Sequence, residues 1–371
     1  MTLESSDRER VMEILRDLIS FPTVTGNTEQ IYQCVEWVRD HAMLRNPSLR
    51  AQWYENQGSP SLLLVSGEAP PRVLFCGHLD VVEAGYENAF RATIDEQDHM
   101  QGRGAADMKG PIAAMLDLME QTDIPGVGLL LTTDEEIGGF KGAQHLLDVF
   151  DWRPEIVILP DGGAGLQLVL EQKGFYIIHA VLERNTKVLA PVAMAEDNPI
   201  EKLYATIHQI RRMYPPIKAE DDWRPSVTIS QLHGETRRNG LVMRAEATID
   251  LRYPASYSDD NDRLLTRIIG KFAQQGIQAK AQVIAAPYFI SPHSPWIQRL
   301  QASVAELGLN ELPLVKEAGS SDARHFAHKH IPVLIFQPIC AFWHNPDEWV
   351  DIPSLMTFRA ICARFIHNVL K

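Results

Sequence analysis

Val73-Leu-Phe-Cys-Gly-His-Leu-Asp80 decides the reading of the fold, because an unbroken apolar run ends there on a histidine and a carboxylate two positions apart. The same arrangement recurs along the chain. The apolar run 127–131 leads into Asp134, Glu135 and Glu136, and 156–159 leads into Asp161. Late in the sequence, 332–336 leads through a loop to His344. Continuous apolar runs of strand length belong to sheets covered on both faces, and such sheets are largely parallel. In open α/β folds, ligands sit outside the carboxyl ends of the strands. The sequence therefore predicts an α/β fold whose strand ends carry His, Asp and Glu to one place.

Helical periodicity fills the intervals. Val11, Ile14, Leu15 and Leu18 place a helix over 6–19, with Pro22 just beyond its end. A second helix is expected over 29–44, and another just after Gly110, with Pro111 suited to its first turn. The stretch 294–307 reads as a helix capped by Ser294 and stopped by Gly308. The middle of the chain differs. Strands over 175–182, 226–232, 242–252 and 279–284, with helices over 198–214 and 258–275, give the order β-α-β-β-α-β. That order is a ferredoxin-like two-layer unit. The expected organisation is a first domain in two parts, 1–172 and 287–371, with 173–286 inserted as a separate α+β domain. A length of 371 residues agrees with two cores rather than one.

The bulk properties exclude some classes. A formal net charge of −13 argues against a nucleic-acid partner, which demands excess Lys and Arg. No apolar run approaches the roughly 20 residues needed to span a bilayer, so no membrane partner is expected. The first ten residues are polar and acidic, and Cys34, Cys76, Cys340 and Cys362 are scattered without close metal spacing. The expected compartment is the cytoplasm.

If the strand ends converge, Asp80, Asp107, Glu135, Glu136 and Asp161 crowd one small volume. Two like charges about 4 Å apart repel by about 1 kcal/mol in water and about 4 kcal/mol at an effective dielectric near 20. Five carboxylates stay ionised together only with cations among them, and divalent metal ions are the simplest remedy. His78 and Asp80, two apart at a strand end, point to the same side. A metal-binding imidazole needs its second nitrogen held, and Asp80 suits that task. Glu135 and Glu136 are adjacent and point differently, so one can bind metal while the other faces the water to be activated.

These motifs carry a resemblance. Gly77-His-Leu-Asp80, Gly102-Arg-Gly with Asp107-Met-Lys-Gly110, Thr133-Asp-Glu-Glu-Ile-Gly-Gly139, Pro160-Asp-Gly162, Gly319-Ser-Ser-Asp-Ala-Arg324 and His344 together look like the M20 metallopeptidase and deacylase family, over essentially the whole chain. The resemblance implies a zinc exopeptidase-like catalytic domain with an inserted lid and dimerisation domain. It implies that Asp107 bridges two ions, with His78 and Asp161 completing one site and Glu136 and His344 the other. Glu135 is then the general base and the Asp107–Met108 bond is expected to be cis. Mixed His and carboxylate donors suit zinc, with manganese and cobalt as alternatives.

The implied activity is hydrolysis of an amide bond in a small amino-acid or dipeptide substrate bearing a carboxylate. Asn239, Arg252 and Gly319 match the family's substrate-holding positions, and a homodimer through the lid is implied. One departure stands out. Family members carry a His about four residues before a Pro in the lid loop; here Pro191 is preceded at that spacing by Lys187, and no His lies between His179 and His208. Lys187 replaces the His as a cationic donor, or the loop serves another substrate. The alternative is a metal- and ligand-binding protein on the same scaffold with weak or lost catalysis.

Overall fold

Unbroken apolar sequence does become buried strand. In the computed structural model, which describes residues 5–67, 70–150, 152–184, 198–219, 222–237 and 241–371, the strands Ser59–Ser66, Val73–His78 and Val127–Thr132 are buried along their whole length. They are central to a six-stranded sheet. Its order is Leu49–Asn56, Ser59–Ser66, Val127–Thr132, Val73–His78, Ile156–Ile158, Val333–Leu334. The last four strands in that order run parallel. The first two form an antiparallel hairpin added at one edge, turning at Gln57 and Gly58, both at positive φ. Two such residues in sequence make the tight turn whose twist matches the strands.

The helix Gly110–Gln121 is buried from Gly110 to Glu120 and packs against the helices Ser5–Ser20 and Ile352–Leu370. Its one central charge, Asp117, is fully buried and takes Arg10 at 2.7 Å on one oxygen and Arg359 at 2.6 Å on the other. Asp7 joins through both arginines, so four charges tie three helices together. Ahead of this helix lies the turn 105–109, in which the Asp107–Met108 peptide is cis.

Clustering of contacts divides the chain into two compact units. The first comprises Met1–Leu170, Ile290–Glu317 and Ser321–Lys371, and holds the six-stranded sheet. The second comprises Glu171–Phe289 and Ala318–Ser320. It holds a four-stranded sheet that is antiparallel throughout, in the order Ser226–Thr236, Val242–Tyr253, Gly174–Glu183, Gln278–Ala285. The strand Val242–Tyr253 alternates, burying Ala245, Ala247, Ile249, Leu251 and Tyr253. Leu203, Ile207 and Ile210 of the helix Pro199–Met213 complete that core, with Ile268 and Phe272 of the helix Asn261–Gln274. The edge strand Ser226–Thr236 is mostly exposed. No helix among the described residues is long and apolar enough to cross a membrane.

Candidate metal centre

Three strands of the large sheet end on the residues that matter. His78 closes Val73–His78, Glu135 and Glu136 follow Val127–Thr132, and Asp161 follows Ile156–Ile158. Asp107 comes from the turn before the buried helix, and His344 from the loop between Cys340–Ala341 and Trp349–Asp351. The structure brings all of them together in the first unit. His78 Nε2 lies 3.0 Å from one oxygen of Asp107, and His344 Nε2 lies 3.1 Å from the other. His344 Nε2 is also 3.4 Å from Glu136. Two groups of donors result: His78, Asp107 and Asp161, and then Asp107, Glu136 and His344. Within each, one donor atom per residue lies within 4.8 Å of the others, and Asp107 is common to both.

The charges explain why such a cluster invites cations. Burial pushes the Glu135 carboxyl well above the usual carboxylate range, and the charge of Asp161 raises it further. Burial and the charge of Asp107 do the same to Asp161. Asp107 goes the other way: burial opposes its ionisation, but hydrogen bonds from His344 and His78 prevail and hold it low. Those bonds in turn push the His344 imidazole up to about 10, Asp107 contributing most and Glu136 next. The carboxylates thus draw both imidazoles toward the protonated form, the same pull they would exert on a cation.

Metal ions fit the same donors. His78 Nδ1 lies 2.9 Å from the main-chain oxygen of Asp80. An N–H donated there leaves Nε2 as the coordinating atom. Donor atoms set tetrahedrally about 2.0–2.1 Å from an ion are roughly 3.3 Å apart, which matches the 3.0–3.4 Å spacings around Asp107. Two imidazoles and three carboxylates are the donor chemistry of zinc and its neighbours.

Comparison with known proteins agrees. Residues 74–368 match the model of peptidase family M20/M25/M40. The chain belongs to that family. It is 26% identical over 402 residues to a succinyl-diaminopimelate desuccinylase of Bordetella petrii, covering 100% of this chain and 99% of that one. Among solved structures it is similar to an M20 family metallo-carboxypeptidase from Sulfolobus solfataricus, with a TM-score of 0.76 at 17% identity, covering 96% of this chain and 98% of the other. A dinuclear metal-binding M20 peptidase from Bacillus subtilis gives a TM-score of 0.71 at 14% identity, covering 99% of each. This M20 chain is accordingly a metallohydrolase.

Around the M20 centre, Asp80 does more than the sequence indicates. Its main-chain oxygen holds His78, while its carboxylate stands 3.5 Å from that ring. The carboxylate instead accepts the main-chain N–H groups of Glu135 and Glu136, each at 3.2 Å, and the Thr25 hydroxyl at 3.1 Å. Asp80 therefore aims the two glutamates as well as the imidazole.

In the second unit, Arg252 grips Asp250 with Nε at 3.0 Å and Nη2 at 3.1 Å, and stacks over Phe175. Its Nη1 donates to the main-chain oxygen of Ala318 at 3.4 Å, which brings it beside Gly319. Lys187 and Asn239 lie outside the described residues.

Three positioning residues escaped the sequence reading. Glu348 accepts from the main-chain N–H groups of Ala106 at 3.0 Å and Asp107 at 3.2 Å, and its other oxygen takes Arg103 at 2.5 Å. Asp134, its carboxyl pushed up to about 6 by burial, accepts from the N–H groups of Lys141 and Gly142 and shapes the turn carrying the glutamates. Asp322 is buried against Gly139, where φ is +63° and a methyl group would strike its carboxylate. The only sequence signal was the acidic type of each residue inside or beside a motif.

Proposed function

We propose that this M20 metallohydrolase holds two divalent ions and cleaves an amide bond in a small carboxylate-bearing substrate, a dipeptide or an N-acyl amino acid. The observation that carries the reading is the pair of donor groups sharing Asp107, with Glu135 beside them. His78 and Asp161 would complete one ion's site, Glu136 and His344 the other's. When bound, such ions acidify water and polarise a carbonyl; zinc suits the donors best, and manganese or cobalt would also be accepted.

The rest of the chemistry belongs to the protein. Glu135, aimed by Asp80, takes a proton from water as the oxygen attacks the carbonyl carbon. It passes that proton to the amine nitrogen as the C–N bond breaks; the second proton of the water then leaves the new carboxylic acid for the amine, giving a carboxylate and an ammonium group. Arg252, beside Gly319 in the second unit, is suited to the substrate carboxylate by its planar donor fork. The exposed edge strand Ser226–Thr236 offers a pairing surface for a homodimer. Four buried free cysteines suit the cytoplasm.

The test is Glu135→Gln in metal-loaded protein, against a panel of dipeptides and N-acyl amino acids. Turnover should fall about 10²–10⁴-fold with metal content unchanged; unchanged turnover would remove Glu135 from its role. One observation favours a second reading, a scaffold with weakened catalysis: Lys187 stands where the family carries a His. Losing such a donor costs about 10²–10³ in rate. A gain of that size in Lys187→His would support this reading, and no gain would leave the lysine as a spectator or a full substitute.

A further inference from the structure

We propose that Thr25 is a positioning residue of the metal centre: its hydroxyl keeps the Asp80 carboxylate turned toward the glutamate turn and off the His78 ring. The inference rests on the amide-hydrolase reading above, and it adds to that reading a residue outside every motif that carries the donors.

Three observations carry it. The first is how the Asp80 carboxylate, which is fully buried, is shared. Its Oδ1 accepts the Glu135 N–H at 3.2 Å and stands 3.5 Å from His78 Nδ1, outside bonding distance. Its Oδ2 accepts the Glu136 N–H at 3.2 Å and the Thr25 hydroxyl at 3.1 Å. Oδ1 is thus contested between the ring and the glutamate turn, while Oδ2 is held on one side only. Both main-chain bonds lie at the long end of the N–H···O range. Among the described residues, Thr25 supplies the one side-chain hydrogen bond that this carboxylate accepts. Without the hydroxyl, Oδ2 keeps a single long bond. An imidazole that binds an ion through Nε2 presents a polarised Nδ1–H, which attracts the carboxylate. Closure on the ring would take the anchor from both glutamates.

The second observation is how the chain delivers Thr25. The segment after Pro22 runs beside 79–81, with Val24 paired in parallel to Val81. The Val81 N–H donates to the main-chain oxygen of Thr23, and the Thr25 N–H to that of Val81, each at 3.0 Å. The Thr23 hydroxyl donates to the main-chain oxygen of Leu79 at 2.5 Å. A tight turn then reverses the chain: the Asn27 N–H donates to the Val24 oxygen at 2.8 Å, with Gly26 at φ +94° in the third position, where glycine is favoured. The third observation ties the same segment to the turn bearing Asp107. Lys109, fully buried, donates Nζ to the main-chain oxygen of Phe21 at 2.8 Å. Thr25 is therefore held by a built strut within the first unit. A general base must stay within hydrogen-bond reach of its water. Loosening the glutamate turn therefore costs rate rather than binding.

The experiment uses metal-loaded full-length enzyme in three forms: wild type, Thr25→Val, which keeps the shape and loses the hydroxyl, and Thr25→Ser, which keeps the hydroxyl. Turnover is measured on the panel of dipeptides and N-acyl amino acids, beside metal content. Hydrogen exchange is followed by mass spectrometry in the peptide carrying Glu135 and Glu136. In Thr25→Val, kcat should fall about 10–100-fold with KM and metal content near the wild-type values, as for one lost hydrogen bond to a charged group. Exchange at the two glutamates should quicken roughly tenfold. Thr25→Ser should stay within about threefold of wild type in both readouts. Unchanged turnover or unchanged exchange in Thr25→Val would overturn the proposal and leave the amide-hydrolase reading standing. Equal losses in both variants would also overturn it, because shape rather than the hydroxyl would then matter. So would faster exchange spread over the whole first unit, the mark of lost packing. If the wild type cleaves no member of the panel, the amide-hydrolase reading fails and exchange decides alone. Local quickening in Thr25→Val but not in Thr25→Ser then supports the positioning role, and any other pattern contradicts it.

Discussion

Glu348 acts on the centre without being one of its donors. By accepting two main-chain N–H groups around Asp107 it fixes the residue common to both donor groups, and Arg103 neutralises its charge in the interior. Glu348→Ala would leave Arg103 buried and unpaired, a loss of about 3–5 kcal/mol. The melting temperature should fall, and metal affinity should fall with it. Glu348→Gln keeps an acceptor for the N–H groups and should recover most of the affinity. Titration of the three proteins with a divalent ion, beside thermal melts, checks this; a melt that falls while affinity stays would make Glu348 purely structural. The candidate metal donors that the structure brings together were legible because each follows an apolar run or sits in a glycine-rich motif. Glu348 was not, because its meaning depends on an arginine 245 residues away, and one sequence gives no way to pair them.

At the level of elements, the helix Gly110–Gln121 connects the centre to the body of the first unit. It begins just after the turn that carries Asp107, and Asp117 secures it to Arg10 and Arg359 on two other helices. Asp117→Ala should cost about 3–5 kcal/mol by removing the buried acceptor between the two arginines and leaving both to share Asp7. Replacing all three residues with apolar side chains of similar volume should restore most of it, since apolar substitutes for buried ion pairs are often as stable. Denaturant melts of the single and triple variants decide; a single variant as stable as wild type would contradict the role.

The same level shows what sequence patterns reach. Helix limits followed their caps closely: Asn198 and Ser294 accept from the second residue of helices Pro199–Met213 and Pro295–Glu306 as their side chains allow. The edge hairpin Leu49–Asn56 with Ser59–Ser66 went unread. The first strand is largely polar, so no second apolar run marks a hairpin beside 62–65, and that run ends on Ser66 and Gly67 rather than on a motif such as His78-Leu-Asp80 or Asp134-Glu-Glu136.

On the scale of the whole molecule, all five candidate metal donors belong to the first unit, while Arg252 and Gly319 belong to the second. The sheet order of the second unit is the ferredoxin-like one read from β-α-β-β-α-β spacing, because alternating strands and amphipathic helices carry their own periodicity. The three residues Ala318–Ser320 group with that unit although they follow it by some thirty positions, a long-range grouping that local periodicity cannot show. The central claim is that five donors from separate segments hold two ions through a shared Asp107. Elemental analysis of protein equilibrated with zinc, then freed of loosely bound metal, tests it most directly. Two ions per chain in the wild type, and loss of both in Asp107→Ala, are the predicted result. One ion or none in the wild type, or two retained in Asp107→Ala, would contradict it.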